Sequence, residues 1–498
     1  MKLTITTLII GVAIVASILT AIIGFGFKKH KSWLMTFLQN FTGVLFIFSG
    51  WVKAVDPLGT AYKMEQYFME FEYTFQDTWM SFIAPLFPWL SNYAVLFSVV
   101  MIIFEIVLGL MLLLGMKGKL SSWLFLILVG FFTFLTGFTF LTGYVPEGVN
   151  FFDFGNWGAY KASNMKVTDC GCFGDFIKLE PKTSFLKDVF LLIPAFYFVF
   201  KHKDMHQLFT KTIRQAIVGI ATVGLLIYCF SNYMWDLPHA DFRPFKIGVD
   251  VAGIRQAEND AQAEVQVVAW KLKNENDDKI IELSTDVYFS QLDKYSKKNG
   301  WSVVEQISTE PSIKPTKISE FEITDYDGND VTYEYLEGEE YNFMIISHKL
   351  YGDAIQSEVE VSDTTYVTDT IVTPDSEEVL VNQSIGEIKK RMETVTDYSW
   401  DKEWLNKYIE QIKPLTEKAK ADGHKVSIVL GGADKNAAIK FAEAVGINAD
   451  YYSADDILLK TIVRSNPGIV LWKDGKIVYK WHISKLPEYE SISNSYLK

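Results

Sequence analysis

Apolar residues divide the chain into two parts. Long apolar runs fill residues 1–232, whereas residues 233–498 combine short strand-like runs with amphipathic helical patterns. A helix that crosses a bilayer needs about 20 apolar residues, and the runs of that length are residues 3–27, 33–52, 93–115, 120–144 and 213–233. A sixth run, over residues 189–200, is short unless residues 184–187 begin the helix at the interface, and we include it because the charge pattern requires it. The pattern predicts six transmembrane helices followed by a water-soluble region.

Basic residues between the predicted helices indicate how the chain is oriented in the membrane. Lys and Arg accumulate in cytoplasmic loops, and here they cluster after the first, third and fifth helices. The clusters are Lys28, Lys29 and Lys31, then Lys117 and Lys119, then Lys201, Lys203, Lys211 and Arg214. Placing them in the cytoplasm puts loops 53–92 and 145–186 and residues 233–498 outside. A cleaved signal peptide at residues 3–27 is the alternative, but that run is too long and its positive charges follow it.

Length and charge add two constraints. The 498 residues exceed what one hydrophobic core usually supports, so two or more domains are expected. Nucleic-acid binding requires clustered Lys and Arg, and the net charge of −13 argues against it. No nucleic acid is therefore expected as a partner. The lipid bilayer is expected as one because of the six predicted membrane helices.

The first outer loop contains a short motif followed by an amphipathic pattern. Asp56 and Pro57 are typical of a turn, and Gly59 relaxes the backbone just after it. Residues 60–80, which include Lys63, alternate aromatic and acidic residues with a helical period. We interpret them as a helix lying at the membrane surface. The alternative is a loop anchored by its aromatic side chains.

The second outer loop carries two of the three cysteines of the chain, Cys170 and Cys172, separated only by Gly171. Thiols outside the cytoplasm tend to be oxidised, and a disulfide across this spacing closes a small, strained and labile ring. The candidates are a redox pair, a static disulfide and a tight turn with two free thiols. A metal site is less expected because no His lies nearby. The motif continues with Phe173, Gly174 and Asp175.

Two polar or reactive groups fall within predicted helices. Glu105 lies at mid-membrane, where a carboxylate needs a partner. It either ties helices together, by bonding Asn40, Thr42 or a loop residue, or binds a headgroup or proton carrier. Cys229, near the outer end of the sixth helix, is either a third thiol for the cysteine loop or a small packing residue.

Three segments resemble the DoxX/MauE superfamily, in its large Bacteroidetes variants. They are residues 49–67 (SGWVKAVDPLGTAYKMEQY), residues 104–115 (FEIVLGLMLLLG), and residues 169–175 (DCGCFGD) followed by 184–188 (SFLKD). The resemblance covers residues 33–232, after an N-terminal helix at residues 1–32, and implies a four-helix core plus flanking helices in a bacterial inner membrane. MauE-like members are linked to disulfide formation, with a fold similar to quinone-linked disulfide oxidases. By that resemblance Cys170 and Cys172 are the exchange pair and a quinone is a candidate cofactor, although such oxidases use C-x-x-C and a second pair.

Residues 318–498 resemble a thioredoxin-like α/β domain, after a β-rich linker region at 233–317. The predicted order is hairpin, strand, helix, strand, helix, strand and hairpin strand, with a surface insertion at about 352–384. Pro467 matches the cis-proline of that family. Its C-x-x-C should follow the strand at 341–347, but residues 233–498 contain no cysteine. We interpret the domain as a degenerate, partner-binding fold, and His348 at the former active-site position as a solvent-exposed residue.

Two functions remain open. The first is an envelope assembly scaffold or accessory factor with a periplasmic protein partner, in which the cysteine motif is a structural clip. The second is a membrane disulfide oxidoreductase that uses Cys170 and Cys172 with a quinone or a periplasmic thiol partner.

The orientation can be tested with reporters. A reporter that works only outside the cytoplasm should be active when fused after Tyr233 or at Lys498, because both positions follow six spans. Activity of a cytoplasmic reporter at both positions would contradict the six-span topology.

Overall fold

The computed structural model describes residues 4–167, 171–372 and 379–497. It divides into two compact units, Met1–Arg243 and Pro244–Lys498.

The first unit is built from helices. They are α1 (Ile5–Ala21), α2 (Trp33–Val55), α3 (Pro57–Gln76), α4 (Leu86–Ser91), α5 (Ala94–Leu114), α6 (Gly118–Thr142), α7 (Pro181–Lys201) and α8 (Lys211–Phe230). Within the described residues, six helices are long and apolar enough to cross a membrane. They are α1, α2, α5, α6, α7 and α8, so the predicted number of spans is confirmed. The fifth begins well before its apolar run, because Lys182, Lys187 and Asp188 lie inside the helix.

The motif after α2 starts a helix and does not form a turn. The carboxylate of Asp56 accepts a hydrogen bond from the N–H of Gly59 at 3.1 Å, which caps α3. Pro57 occupies the first helical position, where its missing N–H costs nothing. The predicted helix at residues 60–80 therefore begins three residues earlier and ends at Gln76. Its buried Tyr67 lies 2.8 Å, oxygen to oxygen, from Thr139 of α6.

Helices α2 and α5 approach closely through two glycines. A Cβ added to Gly109 would lie 2.8 Å from the carbonyl oxygen of Gly43, and one added to Gly43 would lie 2.9 Å from that of Gly109. Small residues at a crossing let two helix backbones pack closely in a membrane. This crossing positions α2 and α5 for the side-chain contacts described below.

The second unit combines three sheets with helices. Its helices are α9 (Val251–Ala263), α10 (Thr285–Ser290), α11 (Tyr333–Leu336), α12 (Lys402–Lys407), α13 (Lys413–Ala421), α14 (Lys435–Val445), α15 (Asp456–Ile462) and α16 (Tyr489–Tyr496). Its strands are β1 (Val267–Asn274), β2 (Ile280–Ser284), β3 (Trp301–Ser308), β4 (Asn342–Ser347), β5 (Gly352–Val372), β6 (Val379–Trp400), β7 (Lys425–Gly431), β8 (Asp450–Ala454), β9 (Gly468–Lys473) and β10 (Lys476–His482).

A five-stranded mixed sheet forms the core of this unit. Its order is β10-β9-β4-β7-β8. Strands β4, β7 and β8 run parallel to one another, and β9 runs antiparallel to both of its neighbours, β4 and β10. Strand β4 is buried along its whole length, as expected for a strand covered on both faces. The peptide bond between Asn466 and Pro467, just before β9, is cis.

The insertion predicted at residues 352–384 is part of a longer structure. Strands β5 and β6 pair with each other as a two-stranded antiparallel ribbon that runs on to Trp400, and residues 373–378 lie outside the described residues. The polar composition, rich in Thr, Ser, Asp and Glu, predicts a surface insertion. Alternation with Val and Ile, which favours a pleated strand, is the signal that composition alone conceals.

The glycine crossing gives a testable expectation. Gly109→Val should lower the melting temperature of the detergent-solubilised protein, because the added carbons meet the backbone of α2, and overpacking typically costs roughly 1–3 kcal/mol. Gly130→Val is the matched control, since a Cβ at Gly130 meets nothing within 4 Å. Equal destabilisation by the two substitutions would contradict a close α2–α5 contact.

Candidate functional site at the Cys-Gly-Cys loop

The cysteine loop is fastened to the helices beneath it. Asp169 and Cys170 lie outside the described residues, which resume at Gly171. Gly171 and Gly174 have φ values of +61° and +50°, in the left-handed region that favours glycine. The Phe173 side chain, 2% exposed, packs in the core of the bundle.

Contacts from α2 and α3 hold the loop in place. The hydroxyl of Ser49 donates a hydrogen bond to the carbonyl oxygen of Cys172 at 2.8 Å. A Cβ at Gly171 would lie 3.2 Å from Cγ of Lys63, so the glycine leaves room for the Lys63 stem. The Lys63 ammonium donates to Gln66 at 2.8 Å. Asp175 pairs with Lys178 at 3.5 Å within the same loop.

Cys172 is a half-buried free thiol. Burial raises the pKa of its thiol, and the nearby Lys187 and Lys53 oppose that rise while Asp188 and Glu105 add to it. Since the thiolate is the reactive form, the surroundings of Cys172 decide how readily it reacts.

The first pair of charges near Cys172 joins α2 to α5. The Nζ atom of Lys53 lies 2.5 Å from Oε2 of Glu105, and both residues are buried. Lys53 also lies 5.0 Å from the centroid of the Phe132 ring, within the range of a cation–π contact. The partner of Glu105 is therefore a lysine.

Two partners considered for Glu105 bond elsewhere. Asn40 donates to the hydroxyl of Thr20 at 3.0 Å, and Thr42 donates to the carbonyl oxygen of Leu38 at 2.8 Å. Lys53 was assigned to an outer loop because the apolar run ends at residue 52. The helix continues to Val55, which turns Lys53 towards the bundle.

The second pair lies on α7 and is tied to α6. The ammonium of Lys187 donates a hydrogen bond to Oδ1 of Asp188. The hydroxyl of Thr136 donates to Oδ2 of the same carboxylate at 3.1 Å. Lys187 also lies 6.0 Å from the centroid of the Phe173 ring. Asp188 is 1% exposed, so both its oxygens are satisfied by neighbouring groups.

Together these residues form a quartet beside the cysteine loop. Lys53, Glu105 and Asp188 are buried, and the side chain of Lys187 is 14% exposed. Two positive and two negative charges balance, which limits the cost of burying them in an apolar bundle. All four act electrostatically on the Cys172 thiol. Charged residues within membrane helices are expensive and typically functional.

Comparison with known protein families gives a match to part of the helical unit. Residues 31–146 match the family model described as Methylamine utilisation protein MauE. The MauE match spans α2 to α6 and includes Lys53 and Glu105, but ends before the cysteine loop and α7. No curated protein and no solved structure matches the chain.

Other sequence candidates lie apart from the quartet. Cys229 is fully buried among Ala54, Val99 and Ile102, in a different apolar cluster from Cys172, as expected for a packing residue. Among the residues that the structure describes, no group of three or more His, Cys, Asp or Glu side chains could hold a metal ion.

At the end of β4, where the C-x-x-C of the second unit was expected, hydrogen bonds join the neighbouring segments. At the end of β4, the hydroxyl of Ser347 lies 3.0 Å from Oδ1 of Asn466, whose amide donates to the carbonyl oxygen of Lys349 at 2.7 Å. His348 was expected to be solvent-exposed, and this was wrong, since it is only 7% exposed. Burial, with the charges of Lys460 and Arg464, lowers its pKa to about 3. The ring is therefore neutral at physiological pH.

The Lys53–Glu105 pair gives a testable expectation. Glu105→Leu should destabilise the protein by roughly 3 kcal/mol or more, because it leaves a buried ammonium unpaired, and Glu105→Gln should be milder because Gln can still bond. The double substitution Lys53→Met with Glu105→Leu should recover much of the loss. Thermal unfolding in detergent measures each variant.

A different pattern would indicate that the charge itself is needed. Loss of function in both single variants of Glu105, with normal expression and stability, would point to a charge-dependent role and contradict a purely structural tie.

Proposed function

We propose that this protein is an accessory factor of the bacterial inner membrane that exchanges disulfides with a protein outside the cytoplasm, using Cys170 and Cys172 as the exchange pair. The observation that carries the proposal is the charged quartet beside the cysteine loop. Paired charges of both signs are costly in a membrane, and the two lysines of the quartet oppose the rise in the pKa of the Cys172 thiol that burial causes, as cations near a reactive thiol do.

The proposed reaction is a two-electron exchange. A thiolate of the partner attacks a sulfur of the Cys170–Cys172 disulfide, forming a partner–protein disulfide while the bond between the two cysteines breaks. The electron pair of that bond leaves on the other cysteine. A second thiolate of the partner then attacks the partner's own sulfur and releases the first cysteine. The partner gains a disulfide and the pair becomes a dithiol.

A quinone is the class of cofactor that we propose for reoxidising the pair. Aromatic side chains lie beside the loop, with ring centroids 6.3 Å apart for Phe48 and Phe173 and 5.7 Å apart for Phe48 and Phe176. These rings pack against one another, and a quinone bound at the edge of this cluster would contact an apolar, aromatic surface. When bound, a quinone would supply the oxidant that accepts two electrons and two protons from the dithiol.

The second unit, in this proposal, is a periplasmic thioredoxin-like domain that binds the partner. The order β10-β9-β4-β7-β8 and the cis peptide bond before Pro467 support the thioredoxin-like assignment. The absence of cysteine from residues 233–498 means that this domain has no thiol of its own to exchange. Its contribution would be to bring the partner to the cysteine loop.

A second candidate function is an envelope scaffold without redox activity. It is favoured by the contacts of Ser347, Lys349 and Asn466 with one another, which close the corner where a redox motif would stand. In that case the cysteine motif would serve only to fix the outer loop.

Trapping distinguishes the two. Cys170→Ser or Cys172→Ser, but not both together, should accumulate a covalent adduct on non-reducing gels. The single remaining thiolate can attack the disulfide of the oxidised partner, in the reverse of the proposed exchange, and no second cysteine is left to release it from the mixed disulfide. Cys229→Ser is the control, since that residue packs in another cluster. If neither single variant traps an adduct and the double variant keeps full function and stability, the exchange proposal is wrong and the scaffold is favoured.

A further inference from the structure

We infer that Lys187 is the positioning residue that sets the reactivity of Cys172, by presenting a fixed ammonium to the thiolate that forms when Cys172 leaves the disulfide. The inference rests on the proposed function for its catalytic meaning. The effect of the Lys187 ammonium on the Cys172 sulfur, however, can be measured in this chain without any partner protein.

The first support is the way Lys187 is held. A lysine side chain has several rotatable bonds, and fixing it costs conformational entropy. Here its ammonium donates to Asp188, which in turn accepts a hydrogen bond from Thr136 of the neighbouring helix at 3.1 Å. The Phe173 ring, one residue after Cys172, lies 6.0 Å from the same nitrogen. The cation is therefore fixed beside the cysteine loop by groups from two helices and the loop itself.

The second support is the contrast with Lys53, the other cation of the quartet. Lys53 is 2.5 Å from Glu105 and also lies near Phe132, so its contacts are with α5 and α6. Lys187, in contrast, contacts the cysteine loop itself, because its ammonium lies over the ring of Phe173, the residue that follows Cys172. The first pair therefore joins two helices, whereas the second places a cation against the loop.

The chemistry of exchange gives the cation a function. When a partner thiolate forms its new bond to Cys170, the bond between Cys170 and Cys172 breaks and its electron pair stays on Cys172. The negative charge thus moves from the partner to a half-buried sulfur, whose pKa is raised by burial. A thiolate in such surroundings is a poor leaving group unless a cation stabilises it. Lys187 supplies that cation, and Cys172 is accordingly the leaving sulfur.

The test measures the Cys172 thiol directly in the full chain. Cys170→Ser and Cys229→Ser together leave Cys172 as the sole cysteine of the three. The rate of its alkylation by iodoacetamide, followed against pH in detergent, reports the thiolate fraction. In this background Lys187→Met should move the midpoint to higher pH and slow alkylation at neutral pH by roughly three- to tenfold, while Lys187→Arg should retain the original profile.

A control and a second variant keep the outcome interpretable. Lys182→Met removes an exposed lysine from the same helix and should leave the profile unchanged. Lys187→Gln should raise the midpoint as Lys187→Met does, because it also removes the positive charge while its amide can still donate to Asp188, and it provides a reading if Lys187→Met does not fold. An unchanged midpoint in the Lys187→Met or Lys187→Gln variant, or equal profiles for the Met and Arg variants, would overturn the inference.

The result separates this inference from the proposed function. Alkylation needs no partner protein, so the midpoint can shift even if no adduct is trapped, in which case only the exchange proposal fails. An adduct with no effect of Lys187 on the midpoint would leave the exchange proposal standing and remove this role for Lys187.

Discussion

The constraint on which the helical unit depends is that charge buried in an apolar bundle must be neutralised within the bundle. An isolated ammonium or carboxylate in such surroundings is strongly unfavourable. Four helices supply the solution, because α2 and α5 contribute Lys53 and Glu105 while α7 contributes Lys187 and Asp188, with Thr136 of α6 completing the second pair. The approach of α2 to α5 at Gly43 and Gly109 serves the same end, since it brings the helices close enough for the first pair to meet.

Much of the architecture could be predicted because its signals are local. Spans of apolar residues gave the number of membrane helices, and the cis bond occurs at Pro467, the position singled out in the sequence. The signals failed where polar residues enter helices. Lys53 falls in a predicted loop, and α7 begins at Pro181, before the earliest predicted start at residue 184, since hydropathy treats Lys187 and Asp188 as an interruption. A paired lysine on the inner face of a helix is invisible to a rule that considers one segment at a time.

The candidate site shows the same division. Gly171, Cys172 and Phe173 could be recognised because they are adjacent in the chain. The quartet could not be assembled from sequence, because its members lie on three helices and become neighbours only after the bundle packs. His348 shows the opposite error. Its position after a buried strand predicts exposure, whereas its side chain is only 7% exposed.

The paired strands β5 and β6 give the second unit an unusual reach. At about 3.3 Å per residue, the 21 residues of β5 extend over roughly 70 Å, more than twice the thickness of a bilayer's hydrocarbon core of about 30 Å. Backbone pairing joins the two strands along the described part of the ribbon, and exposed cross-strand ion pairs such as Lys390 with Glu360 and Arg391 with Asp363 add a small contribution. These ion pairs weaken as salt rises, whereas the backbone ladder does not depend on charge. The arm should therefore keep its length over a wide range of ionic strength.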